Sequence, residues 1–333
     1  MIDTLLIICL LTSFISSYYL TKWWIKRAQE NKLVARDVHK CGVKVAEFGG
    51  LPVVIAFIFT ILLYVGYRTF ILGTTTFVPE ILGVVATLCL ITIMGLADDL
   101  LGWKLGLKQW QKPLICLFAA LPLMMINVGK SSIVLPLIGR FELGIIYPLV
   151  FVPVIVSGAA NAFNMLAGYN GLEAGMGILI LGGLGLVVWQ TQGLGVIAML
   201  AGAMIMALLA FLIFNHYPAK IFGGDTLTYS VGAMIAIVAI LGDAEKLAAF
   251  FFIPYFVELV LKARGKFRKE SFAKLKKDGS LDVPYNKIYG LEHLVIKFLK
   301  RTRERVTEQS VVYTLYAVQL VFVIVGLLLE FSL

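Results

Sequence analysis

The sequence predicts an all-α polytopic membrane protein: one bundle of ten transmembrane helices over residues 1–333, with both termini outside. Composition is the first sign. The chain is 60% hydrophobic and 15% charged, more apolar side chain than a soluble interior can bury, whereas a bilayer accepts it. Spacing is the second. The apolar residues gather in runs of about 20, the length a helix needs to cross the hydrocarbon core. Charge is the third. Of 29 Lys and Arg, 25 fall in one set of alternate loops and four (Arg68, Lys130, Arg140, Lys246) in the other. Cations prefer the cytoplasmic side, and a miscounted span would have mixed the two sets.

The ten runs lie at roughly 2–21, 49–67, 80–97, 112–128, 143–161, 174–190, 194–214, 226–243, 246–262 and 309–330. The first has no basic residues ahead of it; Lys22, Lys26 and Arg27 follow it instead, so it reads as a span and not as a cleaved signal. The four cysteines (Cys9, Cys41, Cys89, Cys116) are scattered without CxxC pairing, which implies neither a disulfide framework nor a zinc site. The outside loops are short, and the longest, near 129–143, suits a small hairpin. No second domain separates from the bundle. The last inside loop, about 262–309, is the only long polar stretch, and it is basic. Within it, 291–305 alternates apolar and basic residues at helical spacing. That pattern fits an amphipathic helix on the membrane face or a solvated loop.

Chemistry-bearing residues collect at span ends on the inside. Asp98 and Asp99 close the third span, followed by Lys104, Lys108 and Lys112. Adjacent carboxylates beside lipid need a cation or a proton; a solvated, salt-bridged helix end and a metal-associated pair both satisfy this. Asn161 to Gly175 reads NAFNMLAGYNGLEAG between two apolar runs. Asn161 and Asn164 share a face if the helix continues, and an amide oxygen suits a hard cation. Phe222 to Thr226 reads FGGDT at the start of the eighth span. Two Gly before Asp225 make either a plain N-cap or a turn whose N–H groups suit a phosphate, with the Asp beside a divalent ion. A few carboxylates and an amide on one face favour magnesium, which takes its remaining ligands from water and substrate phosphates.

These motifs together resemble the polyprenyl-phosphate N-acetylhexosamine-1-phosphate transferase superfamily, in its archaeal and eukaryotic branch acting on UDP-GlcNAc and dolichyl phosphate. The resemblance covers nearly the whole chain. It implies Asn164 and Asp225 as ligands of Mg²⁺, with Mn²⁺ a substitute. It implies Gly168, Asn170 and Phe222 around the uracil, and Asp37, Val38, Glu47 and Glu173 in the substrate pocket. Asp98 becomes the acid–base group supported by Asp99, Lys108 the pyrophosphate contact, and Arg264 and Lys266 the basic grip on the donor. The implied partners are UDP-GlcNAc, a polyprenyl or dolichyl-type phosphate and the bilayer, with a homodimer left open and no nucleic acid.

Two positions depart from the pattern. Ala167 stands where bacterial relatives carry Asp, which favours the dolichol branch. Arg264-Gly265-Lys266 stands where the eukaryotic branch has Arg-His-Arg, so a role for that imidazole is lost. His39, His216 and His293 read as surface or interfacial residues. A second acceptor, another UDP-N-acetylhexosamine, and an aspartyl-phosphate route all stay open. A transporter would instead place acids at mid-span; here only Glu258 lies inside a span, near its inner end.

Overall fold

The computed structural model describes residues 4–40, 42–129, 132–135, 139–192 and 195–332. Cys41, Lys130 and the side chains of Lys104 and Arg140 lie outside that set. The chain is mostly helical. In order it forms α1 (Thr4–Glu30), β1 (Val34–Arg36), β2 (Lys44–Ala46), α2 (Gly50–Phe70), α3 (Val78–Leu105), α4 (Gln111–Ala119), α5 (Leu121–Met125), β3 (Ser132–Leu135) and β4 (Gly139–Glu142). A π-helical turn, Tyr147–Phe151, leads into α6 (Val152–Met165). Then follow α7 (Leu172–Gln192), α8 (Val196–Asn215), α9 (Gly224–Leu241), α10 (Glu245–Phe251), α11 (Ile253–Arg264), β5 (Lys274–Leu275), β6 (Leu281–Asp282), α12 (Leu291–Leu299) and α13 (Glu308–Ser332). The loops add three antiparallel two-stranded hairpins, β1–β2, β3–β4 and β5–β6; β3–β4 is the hairpin expected near 129–143, and the other two correct the all-α expectation. Loop backbone needs hydrogen-bond partners, and a hairpin supplies them locally.

Eight of the ten expected spans are helices long and apolar enough to cross a membrane, among the described residues. The other two runs are broken. The run at 112–128 divides into α4 and α5 with Pro122 in the first turn of α5, and that at 246–262 divides into α10 and α11 with Pro254 in the first turn of α11. A proline removes an N–H and clashes with the preceding turn, so each helix restarts there.

α9 is the axis of the bundle. Its residues 226–240 are all buried, and α2, α3, α6, α7 and α8 pack around it. Lipid offers no hydrophobic drive between helices, so close backbone approach and interhelical hydrogen bonds carry the packing. Gly50 and Gly95 permit that approach at the N-terminal turn of α9: a Cβ would lie 2.2 Å from Leu227 N at Gly50 and 2.8 Å from Thr226 Cα at Gly95. Ser13 and Ser17 on α1 donate to the carbonyls of Ala203 and Ala207 on α8 at 2.6 and 2.8 Å. Exposed apolar residues on α1, α2 and α13, such as Leu11, Leu63 and Leu328, form the outer belt.

In the last inside loop the expected amphipathic helix exists but is shorter. α12 ends at Leu299, and its face of Leu291, Val295, Ile296 and Leu299 is buried against protein, chiefly α13 and α11, and not presented to lipid. Of the three histidines expected at a surface or an interface, His39 and His293 are not at the surface. Both are buried, at 6% and 0% exposure. His216 is exposed, as expected, and meets Tyr313 Oη at 2.7 Å.

Candidate active site

Three chain-distant motifs meet at the N-terminus of α9. Asp98 comes from the last turns of α3, Lys112 from the start of α4, and Asp225 from the first turn of α9. Lys112 Nζ lies 2.6 Å from Asp98 Oδ2 and 2.8 Å from Asp225 Oδ2. Asp98 Oδ1 accepts the Leu107 N–H at 2.5 Å, which holds the loop after α3 against the acid. The side chains of Asp98, Lys112 and Asp225 retain 10%, 13% and 25% exposure, so the pocket is open at its rim.

Asp99 does a different job from its neighbour. α9 has no side-chain cap of its own, and its first N–H groups would be orphaned. Asp99 caps it from another helix: Oδ1 accepts the Asp225 N–H at 2.8 Å, and Oδ2 accepts the Thr226 N–H at 2.9 Å and hydroxyl at 2.6 Å. An anion there also suits the helix dipole. The cap explains the second glycine of FGGDT. Gly224 has φ +72°, and a Cβ on it would fall 2.5 Å from Asp99 Oδ2. The N–H groups of residues 225 and 226, which suit a phosphate on sequence grounds, are thus already taken by Asp99.

Asn164 reaches the same turn from α6. Its Nδ2 donates to Tyr229 Oη at 2.9 Å, and its Oδ1 accepts the Thr228 hydroxyl at 2.7 Å. Lys112 Nζ sits 5.8 Å from the centre of the Tyr229 ring, so all these groups share one pocket. Asn161 turns back on its own helix and donates to Ser157 O at 2.8 Å. Asp98 and Asp225 already converge on one cation, Lys112, and Asn164 Oδ1 keeps a free lone pair. This hard-oxygen donor set fits a magnesium ion beside or in place of the ammonium.

Lys108 is exposed, and its N–H donates to Gln111 Oε1 at 2.8 Å. Lys112, one turn further on, is the lysine that bridges Asp98 and Asp225. α3 is kinked at Gly102 (φ +62°) and ends at Leu105, and α4 starts only at Gln111, a break that brings Lys112 and not Lys108 to the two carboxylates. Ser157 Oγ fixes α4 by donating to Pro113 O at 2.8 Å.

The strand β2 runs beside residues 220–223. Phe222 N donates to Ala46 O, Gly49 N to Phe222 O and Gly50 N to Gly223 O, each at 2.8 Å. This fixes Phe222, half-buried, against the first inside loop. Glu47 is next in the chain, and burial pushes its carboxyl above the usual carboxylate range, with the charge of Asp99 adding to the shift. Trp24 Nε1 holds the Glu47 carbonyl at 2.8 Å.

Of the other expected residues, Gly168 donates its N–H to Glu173 Oε1 at 2.7 Å, and Glu173 is buried. Asp37 and Asn170 are buried in a second cluster with His39, Lys40 and Glu308; ligand atoms of Asp37, His39 and Glu308 lie within 4.8 Å of one another. Val38 is exposed at 53%. Arg264, the last residue of α11, and Lys266, just past it, are exposed and make no hydrogen bond or ion pair with the Asp98 pocket among the described residues. Residues that sequence reasoning passed over are Thr226, Thr228, Tyr229, Lys40 and Glu308. For Glu308 a signal existed: it is an acid at the very start of an apolar span.

Known proteins bear on this pocket. Residues 81–243, which carry Asp98, Lys112, Asn164 and Asp225, match the family described as glycosyl transferase family 4. A Saccharolobus solfataricus protein is 34% identical over 326 residues, covering 96% of this chain and 95% of that protein. The chain belongs to that transferase family. The Saccharolobus relative is provisionally named a UDP-N-acetylglucosamine–dolichyl-phosphate N-acetylglucosaminephosphotransferase. A Sulfolobus acidocaldarius protein with the same provisional name is 30% identical over 98% of this chain and 96% of its own length. A Dictyostelium discoideum protein carrying that name without qualification is 26% identical over 64% of this chain and 59% of its own length. The family's matched segment runs from α3 to the end of α9, the part of the fold that builds the pocket.

Proposed function

We propose that the protein transfers GlcNAc-1-phosphate from UDP-GlcNAc to a polyprenyl phosphate of the dolichyl type, releasing UMP. The reading rests on the convergence of Asp98, Lys112, Asn164 and Asp225 within the family segment, in a chain whose full-length relatives carry that name. The site faces the cytoplasm and both termini lie outside; 25 of 29 cations support this side, and ten passes result if α4–α5 and α10–α11 each cross.

In this reaction a lipid phosphate oxygen attacks the β-phosphorus of the donor. One P–O bond forms to that phosphorus, and the bond to the α-phosphate bridging oxygen breaks. One phosphoanhydride replaces another, so the work is positioning and charge neutralisation. Asp98 takes the proton of a singly protonated lipid phosphate. Lys112 leaves its bridge between the carboxylates to meet the pyrophosphate. Asp225 and Asn164 would hold magnesium, which when bound would neutralise phosphate charge. Asp99 keeps the first turn of α9, and so Asp225, in place. Tyr229 and Thr228 fix the Asn164 amide with its oxygen toward the pocket.

The test is a donor and acceptor panel on protein in nanodiscs. UDP-GlcNAc, UDP-GalNAc and a modified acetamido sugar nucleotide are each offered with dolichyl or undecaprenyl phosphate and magnesium. UMP release with a GlcNAc-diphospho-lipid product, greatest for UDP-GlcNAc and dolichyl phosphate, is expected. No lipid-linked product from any pair overturns the assignment.

A further inference from the structure

Inside segments distant in sequence meet at one buried residue, Asn170. Its N–H and Nδ2 both donate to Glu308 Oε1, at 2.7 and 2.5 Å. Nδ2 also donates to Asp37 Oδ2 at 3.2 Å, and Oδ1 accepts the Ala219 N–H at 3.1 Å. Next to it, Tyr169 Oη donates to Ser271 O at 3.5 Å. The first inside loop, the 166–171 loop, the segment before Phe222, the last inside loop and the start of α13 are thereby joined.

The two carboxylates of this clasp repel each other, and Lys40 holds them together. Its Nζ lies 2.6 Å from Asp37 Oδ2 and 3.6 Å from Glu308 Oε2, and 4.3 Å from the centre of the Tyr217 ring. His39 Nδ1 stands 3.6 Å from Glu308 Oε1, with its ring 4.5 Å from that of Tyr169. Asp37 and Glu308 are 5% and 4% exposed. Every polar group of Asn170 except its carbonyl is thus committed to protein. Handing its donors to a ligand would strip hydrogen bonds from buried carboxylates, which is costly. Asn170 is a pin for its loop. What the pin holds is Gly168, at φ +106°, where a Cβ would lie 2.6 Å from the Phe272 ring.

We infer that Glu308 is a positioning residue: through Asn170 it fixes the 166–171 loop and so sets affinity for the nucleotide half of the donor, leaving the chemical step to the Asp98 pocket. This rests on the proposed transfer from UDP-GlcNAc and on the family resemblance, which implies Gly168 and its loop around the uracil. Glu308 lies 138 residues from Asn170 in sequence.

The experiment measures kcat and KM for UDP-GlcNAc, KM for dolichyl phosphate, and UMP affinity by calorimetry. The proteins are wild type, Glu308→Ala, Glu308→Gln, Asn170→Ala and the double alanine variant. Loss of a buried charged acceptor predicts, for Glu308→Ala, a rise of about tenfold or more in donor KM and UMP Kd, kcat within about threefold, and an unmoved KM for the lipid. Glu308→Gln restores most of the affinity, because an amide oxygen still accepts both Asn170 N–H groups. The double variant is no weaker than the worse single one, since both break one contact. An unmoved donor KM in Glu308→Ala, a loss confined to kcat, or a Glu308→Gln as weak as alanine each overturns the inference. If Glu308→Ala does not purify as a monodisperse protein, Asn170→Ala breaks the same contact, and an unmoved KM there overturns it equally. A wild type that neither turns over UDP-GlcNAc nor binds UMP brings down the functional reading and this inference with it. A wild type that does both, beside an unmoved variant, removes the inference alone.

Discussion

Among the described residues, two places set a lysine between two carboxylates, and they differ in what surrounds them. In the pocket at α9, Lys112 bridges Asp98 and Asp225, and the side chains keep 10–25% exposure. In the clasp at Asn170, Lys40 bridges Asp37 and Glu308, whose side chains are 2% and 3% exposed. The open pair has a rim through which a phosphate or a divalent ion can take over the role of the ammonium. The sealed pair is closed by Asn170, His39 and Tyr217, and its carboxylates are committed to protein donors. The same three charges give a site in one case and a fastener in the other, and burial with hydrogen-bond commitment decides which.

The largest effect that can break this comparison is at the open pair. Asp225→Ala or Asn164→Ala should abolish turnover, by a factor on the order of 1,000, in protein that still extracts as a monodisperse species. A magnesium titration of the weaker-acting Asp225→Asn should show a raised requirement for the ion. Normal activity in either alanine variant removes that residue from the pocket. Next is the lysine pair. Lys112→Met should cut kcat by about 100-fold, whereas Lys108→Met should change it by less than about threefold. The reverse order would restore the lysine that the family resemblance implies.

That pair shows where sequence reading succeeds and where it stops. The convergence of Asp98, Asn164 and Asp225 is legible because all three sit at span ends on one side, and side alternates along a polytopic chain. The choice between Lys108 and Lys112 is not legible. It depends on the break at Gly102 and the restart at Gln111, which set the rotation of α4. The ten runs are readable from hydropathy, but Pro122 and Pro254 interrupt two of them. Asp99 reads as a partner in chemistry and proves to be a helix cap, because the groups it serves lie 126 and 127 residues away. The bonds from Asn170 to Glu308, 138 residues away, are likewise beyond what sequence shows.

The Asp99 cap sharpens the comparison at a smaller scale. Asp99→Ala should lower stability by about 0.5–2 kcal/mol, the usual worth of a cap, and reduce kcat through a displaced Asp225. Asp99→Asn, which keeps one acceptor, should fall between it and wild type. Thermal unfolding in detergent and UMP release check the two halves; a kcat loss without any loss of stability would make Asp99 a participant in the chemistry.

The smallest effect lies away from both pairs. Glu292 on α12 is fully buried, and burial pushes its carboxyl well above the usual range, with the Glu258 charge adding to the shift. A raised folded-state value means the neutral acid suits the fold. Its stabilisation is complete below the unfolded value near 4.5 and is lost as pH rises through the folded one. Glu292→Gln should therefore flatten the fall in Tm above pH 5, gaining a few degrees at pH 8 and nothing at pH 4. A uniform shift at all pH values would show that the effect is packing and not titration.

The most direct test sets the two lysine-bridged pairs side by side. Single-turnover UMP release is measured at saturating UDP-GlcNAc and dolichyl phosphate in Asp225→Ala and Glu308→Ala. The prediction is no detectable release from the first and a near wild-type rate from the second, whose defect saturating donor conceals. Release from Asp225→Ala at the wild-type rate, or a chemical step lost in Glu308→Ala alone, would contradict the division between an open reacting pocket and a sealed clasp.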